Sequence, residues 1–285
     1  MILPVYIPLL SELCNNILSK LPLFRKLCIN NYSFATPYAA VNNGNKYSVS
    51  VIVPARNESG NIENLIQRIP AIGSATEIIF IESNSTDDTW DVIQNTKEKY
   101  NATHDIKTIQ ISDKGKNPAV KKGFDAASGD IVMILDADLT VAPEDLSKFY
   151  DILASHRADF VNGCRLVYPV EGEAMRFLNL LGNKFFSSVF TWLLDQSFKD
   201  TLCGTKALFL KDYKKLLKNS SCFGDSDPFG DFDLLFGAHK LNLCIVELPV
   251  RYHERTYGRT NISRFRHGLI LLKMCFLAAR KIKFT

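Results

Sequence analysis

Ile131-Val132-Met133-Ile134-Leu135 runs directly into Asp136-Ala137-Asp138, and this is where the chain most plainly offers chemistry. Five apolar residues in a row read as a strand covered on both faces, as in a parallel sheet. Carboxylates at its carboxyl end stand where open α/β sheets bind ligands. Alternate residues of an extended segment share a side, so Asp136 and Asp138 point together past the small Ala137. Their hard oxygens suit Mg²⁺ or Mn²⁺, and such an ion neutralises a diphosphate. The plainer alternative is a polar strand end whose aspartates cap the next helix.

Two other loops strengthen the chemical reading. Pro54-Ala55-Arg56-Asn57-Glu58 follows an apolar strand, and Glu82-Ser83-Asn84-Ser85-Thr86-Asp87-Asp88-Thr89 follows another. Three polar loops at adjacent strand ends predict one ligand crevice. Lys114 and Lys116 add positive charge nearby, or form a solvated pair on a turn. Asp231 and Asp233 lie two apart at a helix start and so cannot share a face. Arg255 and Arg259 bracket Tyr257-Gly258, and arginine forks bind phosphates well. His253 and His267 lack ligand spacing. Gly-x-Gly-x-x-Gly follows no strand, which argues against a dinucleotide oxidoreductase. A nucleotidyltransferase is weakened because no Gly-rich phosphate loop follows the first strand.

The elements that position these residues alternate. Strands are predicted at 48–53, 77–81, 106–111, 131–135 and 159–166. Helices are predicted at 61–69, 87–100, 118–127 and 143–155, the second capped by Thr86 or Asp87. Such alternation gives a mostly parallel, doubly wound α/β sheet with helices on both faces. The second half is less regular, with helices at 173–194 and 232–240 and strands at 206–210 and 243–250. Residues 1–46 read as an extension and linker, with a short helix through Leu18, Leu21, Leu23, Phe24 and Leu27. The main domain spans 47–260, and 261–285 is a basic amphipathic helix.

Net charge is only +4, yet residues 251–285 carry +8, which leaves −4 for the first 250. A basic tail of this kind meets substrate phosphates or an anionic membrane surface; no nucleic-acid partner is expected. The longest strongly apolar uncharged run, 185–194, has ten residues and is far short of a bilayer span. Seven scattered cysteines without a Cys-x-x-Cys pair fit reduced thiols rather than a disulfide framework or zinc site. The expected location is cytoplasmic, peripheral on the inner face of a membrane. Ordinary core packing or a homodimer contact is the alternative use of the apolar helices.

Pro-Ala-Arg-Asn-Glu at 54–58, Asn-Ser-Thr-Asp-Asp-Thr at 84–89, Lys-Gly-Lys at 114–116 and Asp-Ala-Asp at 136–138 occur in a telling order. Cys-Gly-Thr-Lys at 203–206, Gly-Asp-Phe-Asp at 230–233 and Arg-Thr-Tyr-Gly-Arg-Thr at 255–260 continue it. In this the chain resembles family 2 glycosyltransferases of the nucleotide-diphospho-sugar (GT-A) type. The likeness is closest to the polyprenyl-phosphate sugar synthases, the group of dolichol-phosphate mannose synthase. It covers about four fifths of the chain, from Ser48 to Phe276.

The resemblance implies the GT-A fold and a metal-dependent, inverting hexosyltransferase of envelope glycan biosynthesis. The donor would be a nucleotide-diphospho-sugar and the acceptor a polyprenyl-phosphate-type lipid. Alternatives are a glycan or protein hydroxyl acceptor, or a non-catalytic nucleotide-sugar-binding protein. Pro54, Arg56, Asn57 and Glu58 would line the nucleotide pocket, and Glu82 would read the base from a position where the family usually has Asp. Asp136 would contact ribose and metal, and Asp138 would bind the metal, Mg²⁺ or Mn²⁺. Lys116 and Arg259 would hold phosphates, Arg255 would act on the diphosphate or lipid phosphate, and Asp233 would stand near the acceptor.

Overall fold

The computed structural model describes residues 2, 6–28, 46–113, 115–167, 177–219, 231–255, 257 and 264–284. Lys114 and Arg259 lie outside these, as do the side chains of Asp231, Arg264, Arg266 and His267.

Among the described residues, seven strands form one sheet: β1 (Val49–Ala55), β2 (Thr76–Ser83), β3 (Asp105–Ile111), β4 (Ile131–Ile134), β5 (Phe160–Cys164), β6 (Lys206–Phe209) and β7 (Ile245–Pro249). Their spatial order is β3-β2-β1-β4-β6-β5-β7. β1 pairs in parallel with β2 and β4, as β2 does with β3 and β5 with β7. β6 is antiparallel to both of its neighbours. The chain enters β6 at the carboxyl edge, with Lys206 opposite Ile134. That entry sets the turn before β6 beside the acidic end of β4. The fold is therefore the mostly parallel α/β sheet that the alternation predicts.

Period-two burial explains why these strands stay central. Val51, Val53, Phe80 and Met133 face one apolar cluster, with α2 (Ile62–Arg68), α3 (Thr89–Tyr100) and α5 (Leu146–Ala154) packed there. Ile52, Ile79 and Ile134 face the opposite cluster. That side is covered by α4 (Lys116–Ala126), α6 (Phe177–Leu193), α7 (Leu210–Asn219), α8 (Asp231–Lys240) and α9 (Arg264–Ala278). Each fully buried aliphatic or aromatic side chain contributes about 1.5–3 kcal/mol. The cores fix the sheet, and the sheet fixes its carboxyl edge.

Several boundaries differ from the sequence expectation, each for a local reason. α3 begins at Thr89 rather than 87, because Asp87 Oδ1 accepts the Thr89 N–H at 3.1 Å and keeps the preceding turn outside the helix. α4 begins two residues before Pro118, since Gly115 takes φ 120° and lets the chain turn in earlier. Among its described residues the extension forms no continuous helix. It has a short turn α1 (Leu10–Glu12), a π turn at Leu13–Ile17 and 3₁₀ turns at Leu18–Lys20 and Phe24–Leu27. Pro22 forces Leu21 into extended backbone, ψ 141°, and so breaks the helix there.

The terminal helix is not simply amphipathic. Leu271, Met274, Cys275 and Ala278 are buried, yet Leu269, Leu272 and Phe276 face outward. No described helix is long and apolar enough to cross a membrane. The six described cysteines are free thiols.

Candidate active site

The loops after β1 and β2 are stitched to each other. Asn57 takes a left-handed backbone, φ 56°, which Asn tolerates better than most residues. Its N–H donates to Ser85 Oγ at 3.1 Å, and its side-chain oxygen accepts the Thr86 N–H at 2.8 Å. Asn84 is also left-handed, φ 51°, and stands at the bend of the second loop. The Glu58 N–H donates to Thr89 Oγ1 at 2.9 Å. Two strand ends thus form one rigid lip.

The third loop stands at the same edge. Asp138 Oδ1 accepts from Thr140 N and Thr140 Oγ1, at 3.1 and 2.7 Å, which locks its carboxylate. Arg255, coming from beyond β7, bridges two loops: Nη2 reaches Asp138 Oδ2 at 2.5 Å and Nη1 reaches Glu58 Oε1 at 3.2 Å. Lys116, at the start of α4, pairs with Asp136 Oδ1 at 2.5 Å. Burial works to raise the Asp136 carboxyl, but Lys116, Lys206 and Arg165 outweigh it and hold the group below its usual range. The structure therefore brings Asn57, Glu58, Lys116, Asp136, Asp138 and Arg255 together at the carboxyl edge.

Burial raises the Glu58 carboxyl to about 7, against the pull of Arg255 and an Asn61 hydrogen bond. Between its unfolded value of 4.5 and about 7, the folded state binds more protons, so this group costs stability as pH rises through that window. Glu58→Gln removes the slope. Relative to the wild type, the variant should gain urea resistance between about pH 5 and about pH 8. Parallel midpoints at both values would argue against the raised carboxyl.

Gly204 explains why the turn before β6 reaches the acidic pair. A Cβ there would overlap Asp136 Oδ2 and Lys116 Nζ. Gly204→Ala is expected to push both groups aside and cut turnover about ten- to hundredfold, with little change in melting temperature. Nearby, Tyr257 lies over Gly60, and its hydroxyl is 3.0 Å from Ser59 Oγ. The segment carrying Arg255 is thereby docked on the β1 loop.

Other expected residues stand differently. Glu82 is 1% exposed and its carboxylate is already engaged, Oε1 by Ser85 N at 2.5 Å and Oε2 by Gln110 Nε2 at 2.9 Å. It shapes the second loop from beneath rather than offering a free edge to a base. Pro54 and Arg56 line the end of β1, both half-buried. Asp233 is half-buried in the first turn of α8.

Sequence reasoning missed a buried ion pair close to this edge. Arg165 Nε and Nη2 meet Asp200 Oδ2 and Oδ1 at 2.7 and 2.9 Å. Asp200 also accepts from Asn183 Nδ2 and the Leu202 N–H, at 2.9 and 3.0 Å. The available signal was an arginine just past a strand end, at Gly163-Cys164-Arg165. Lys206 is fully buried, with its ammonium on the Cys203 carbonyl.

Asp136 and Asp138, each paired with a cation in this structure, are hard oxygen donors that suit a divalent ion keeping waters and substrate phosphates as its remaining ligands once Lys116 and Arg255 turn to those phosphates. Among the described residues no group of three or more His, Cys, Asp or Glu forms a complete protein cage. The donor set therefore suits Mg²⁺ or Mn²⁺ held jointly with a phosphate ligand.

Comparison with known proteins places this geometry. Over 139 residues the chain is 37% identical to the dolichol-phosphate mannosyltransferase of Pyrococcus furiosus, covering 48% of this chain and 38% of that one. Over 122 residues it is 30% identical to the undecaprenyl-phosphate 4-deoxy-4-formamido-L-arabinose transferase of Pseudomonas aeruginosa, covering 39% and 36%. The chain thus spans well under half the length of these two relatives. Glycosyltransferase AglJ of Haloferax volcanii is 26% identical over 235 residues, covering 82% of this chain and 72% of that protein. Among solved structures, glucosyl-3-phosphoglycerate synthase from Mycobacterium tuberculosis shares the fold, with TM-score 0.59, 20% identity, and coverage of 81% and 79%. That protein was crystallised with Mn²⁺, uridine diphosphate and phosphoglyceric acid, and elsewhere with Mg²⁺ and uridine diphosphate. The family profile described as glycosyl transferase family 2 matches residues 50–217, a span holding the loops after β1, β2 and β4 and the Gly204 turn. The chain belongs to glycosyl transferase family 2.

Proposed function

We propose that the chain moves a hexosyl group from a nucleotide-diphospho-sugar to a polyprenyl-phosphate-type lipid phosphate, with inversion, at the inner face of a membrane. The observation that carries this is the Arg255 bridge between Glu58 and Asp138, beside the Lys116–Asp136 pair. Carboxylates and cations from separate loops converge at one edge, as the handling of a doubly charged leaving group demands. The lipid-phosphate relatives support the acceptor class.

In this reading Asp136 and Asp138 hold the divalent ion, and Asn57 and Ser85 keep the nucleotide lip rigid. Bound there, Mg²⁺ or Mn²⁺ supplies positive charge against the departing diphosphate. An oxygen of the acceptor phosphate attacks the anomeric carbon as the bond to the diphosphate oxygen breaks and its electron pair leaves with the nucleotide. The acceptor is already anionic, so no base has to remove a proton. Arg255 is positioned to exchange its carboxylate partners for phosphate oxygens, which its planar fork matches.

Incubation with labelled nucleotide sugars, Mn²⁺ and undecaprenyl or dolichyl phosphate tests the proposal. Labelled lipid is expected with one donor; its absence with every donor contradicts the reading. Asp233→Asn separates the acceptor classes. A hydroxyl acceptor should lose about 10²–10⁴-fold with its base gone, whereas a phosphate acceptor should lose far less.

A further inference from the structure

We infer that the two ends of the chain form one apolar, basic surface that seats the protein on an anionic lipid bilayer, with the N-terminal arm as its foot. The inference deepens the lipid-acceptor reading. The arm presents Tyr6, Leu9, Leu13, Ile17, Leu23 and Leu27 to solvent, with Leu9 80% and Leu23 75% exposed. A segment folding to complete a core would turn these side chains inward. Instead, among its described residues, the buried side chains are Ser11 and Cys14. Leu9 even occupies left-handed backbone, φ 63°, a conformation costly for leucine.

The arm is fastened to the other end of the chain. Trp192 Nε1 donates to the Lys20 carbonyl at 2.6 Å, and Arg25 pairs with Asp195. Asp195 also receives Lys283 at 2.5 Å. Lys20 lies 5.8 Å from the ring centre of Phe284, whose ring also neighbours Trp192. One aspartate after α6 thus ties both termini together. Outward residues continue on the helices that meet there: Leu269, Leu272 and Phe276 on α9, at i, i+3 and i+7, and Leu181 and Phe185 on α6.

Charge selects the occupant. Residues 264–284 carry six cations and no acid, and the arm carries Lys20, Arg25 and Lys26 against Glu12. Among the described side chains Lys26, Lys273, Arg280 and Lys281 are exposed, and exposed cations beside exposed leucines match a headgroup boundary, where apolar groups enter and basic groups meet anionic lipid. A protein interface would instead deplete charge at its apolar centre. At fifteen residues, α9 is about 22 Å long, enough to lie along a bilayer and too short to cross it.

The test is sedimentation of the full chain with vesicles of pure phosphatidylcholine, or of phosphatidylcholine containing phosphatidylglycerol. The wild type should sediment with the anionic vesicles and far less with the neutral ones. Leu9→Glu combined with Leu13→Glu and Leu23→Glu should weaken that binding about tenfold or more. Lys97→Glu, on α3 across the sheet, should leave it unchanged. All three leucines are exposed, so folding is not at risk, and Mn²⁺-dependent stabilisation by a nucleoside diphosphate should match the wild type. Loss of nucleotide stabilisation with vesicle binding intact would sink the sugar-transfer reading and spare this one. The inference is overturned if the triple variant binds vesicles as the wild type does, or if the wild type ignores anionic vesicles. It is equally overturned if the triple variant merely converts a dimer to a monomer with vesicle binding unchanged, since the surface then belongs to a second copy.

Discussion

Replacing Asp138 by Asn is expected to lower sugar transfer by about three orders of magnitude while leaving the protein folded. The amide keeps an oxygen for Thr140, so the local turn survives. What disappears is the negative charge that meets Arg255 and, in the proposed reaction, the divalent ion. A site that stabilises a departing diphosphate through that charge must lose most of its advantage. Initial rates with saturating Mn²⁺, alongside circular-dichroism melting, measure the effect. A loss below about tenfold would place the metal elsewhere.

Asp200→Ala should produce the largest stability effect, about 3–5 kcal/mol. Asp200 is fully buried, and its removal strands the Arg165 guanidinium together with the Asn183 amide and the Leu202 N–H. Burial alone would raise this carboxyl, but Arg165 overrides it and holds the group at about 2. The unfolded chain titrates the same group at 3.8, so the pair's contribution is complete above that value and is lost as pH falls toward about 2. Urea unfolding at neutral pH should show the deficit clearly. Unfolding at about pH 2 should show it much reduced, because the wild type has by then lost the same charge. An unchanged gap across that range would mean the loss comes from packing rather than from the ion pair.

Much of the positioning frame was legible because its cause is local. Runs such as Val51-Ile52-Val53 and Ile131 to Leu135 can be buried on both faces only in a covered sheet, and the polar loops announce where those strands end. Asp136, Asp138, Glu58 and Lys116 could therefore be expected at one edge from sequence, and the structure places them close together there. What escaped depends on distant partners. Arg165 and Asp200 are 35 residues apart and meet only because β6 enters antiparallel between β4 and β5. Glu82 carries the right charge for base recognition, but Gln110 on the neighbouring strand holds its carboxylate underneath the loop. The C-terminal helix read as basic and amphipathic, but only the packed structure separates its buried residues from Leu272 and Phe276, which face outward.

Binding of nucleoside diphosphates by calorimetry, with and without Mn²⁺, in the wild type and in Asp138→Asn, tests the metal-and-diphosphate account most directly. The account predicts that one nucleoside diphosphate binds the wild type at least about tenfold more tightly with Mn²⁺, and that the variant loses this gain. Equal affinity with and without the ion, or a variant that keeps the full Mn²⁺ dependence, would contradict it.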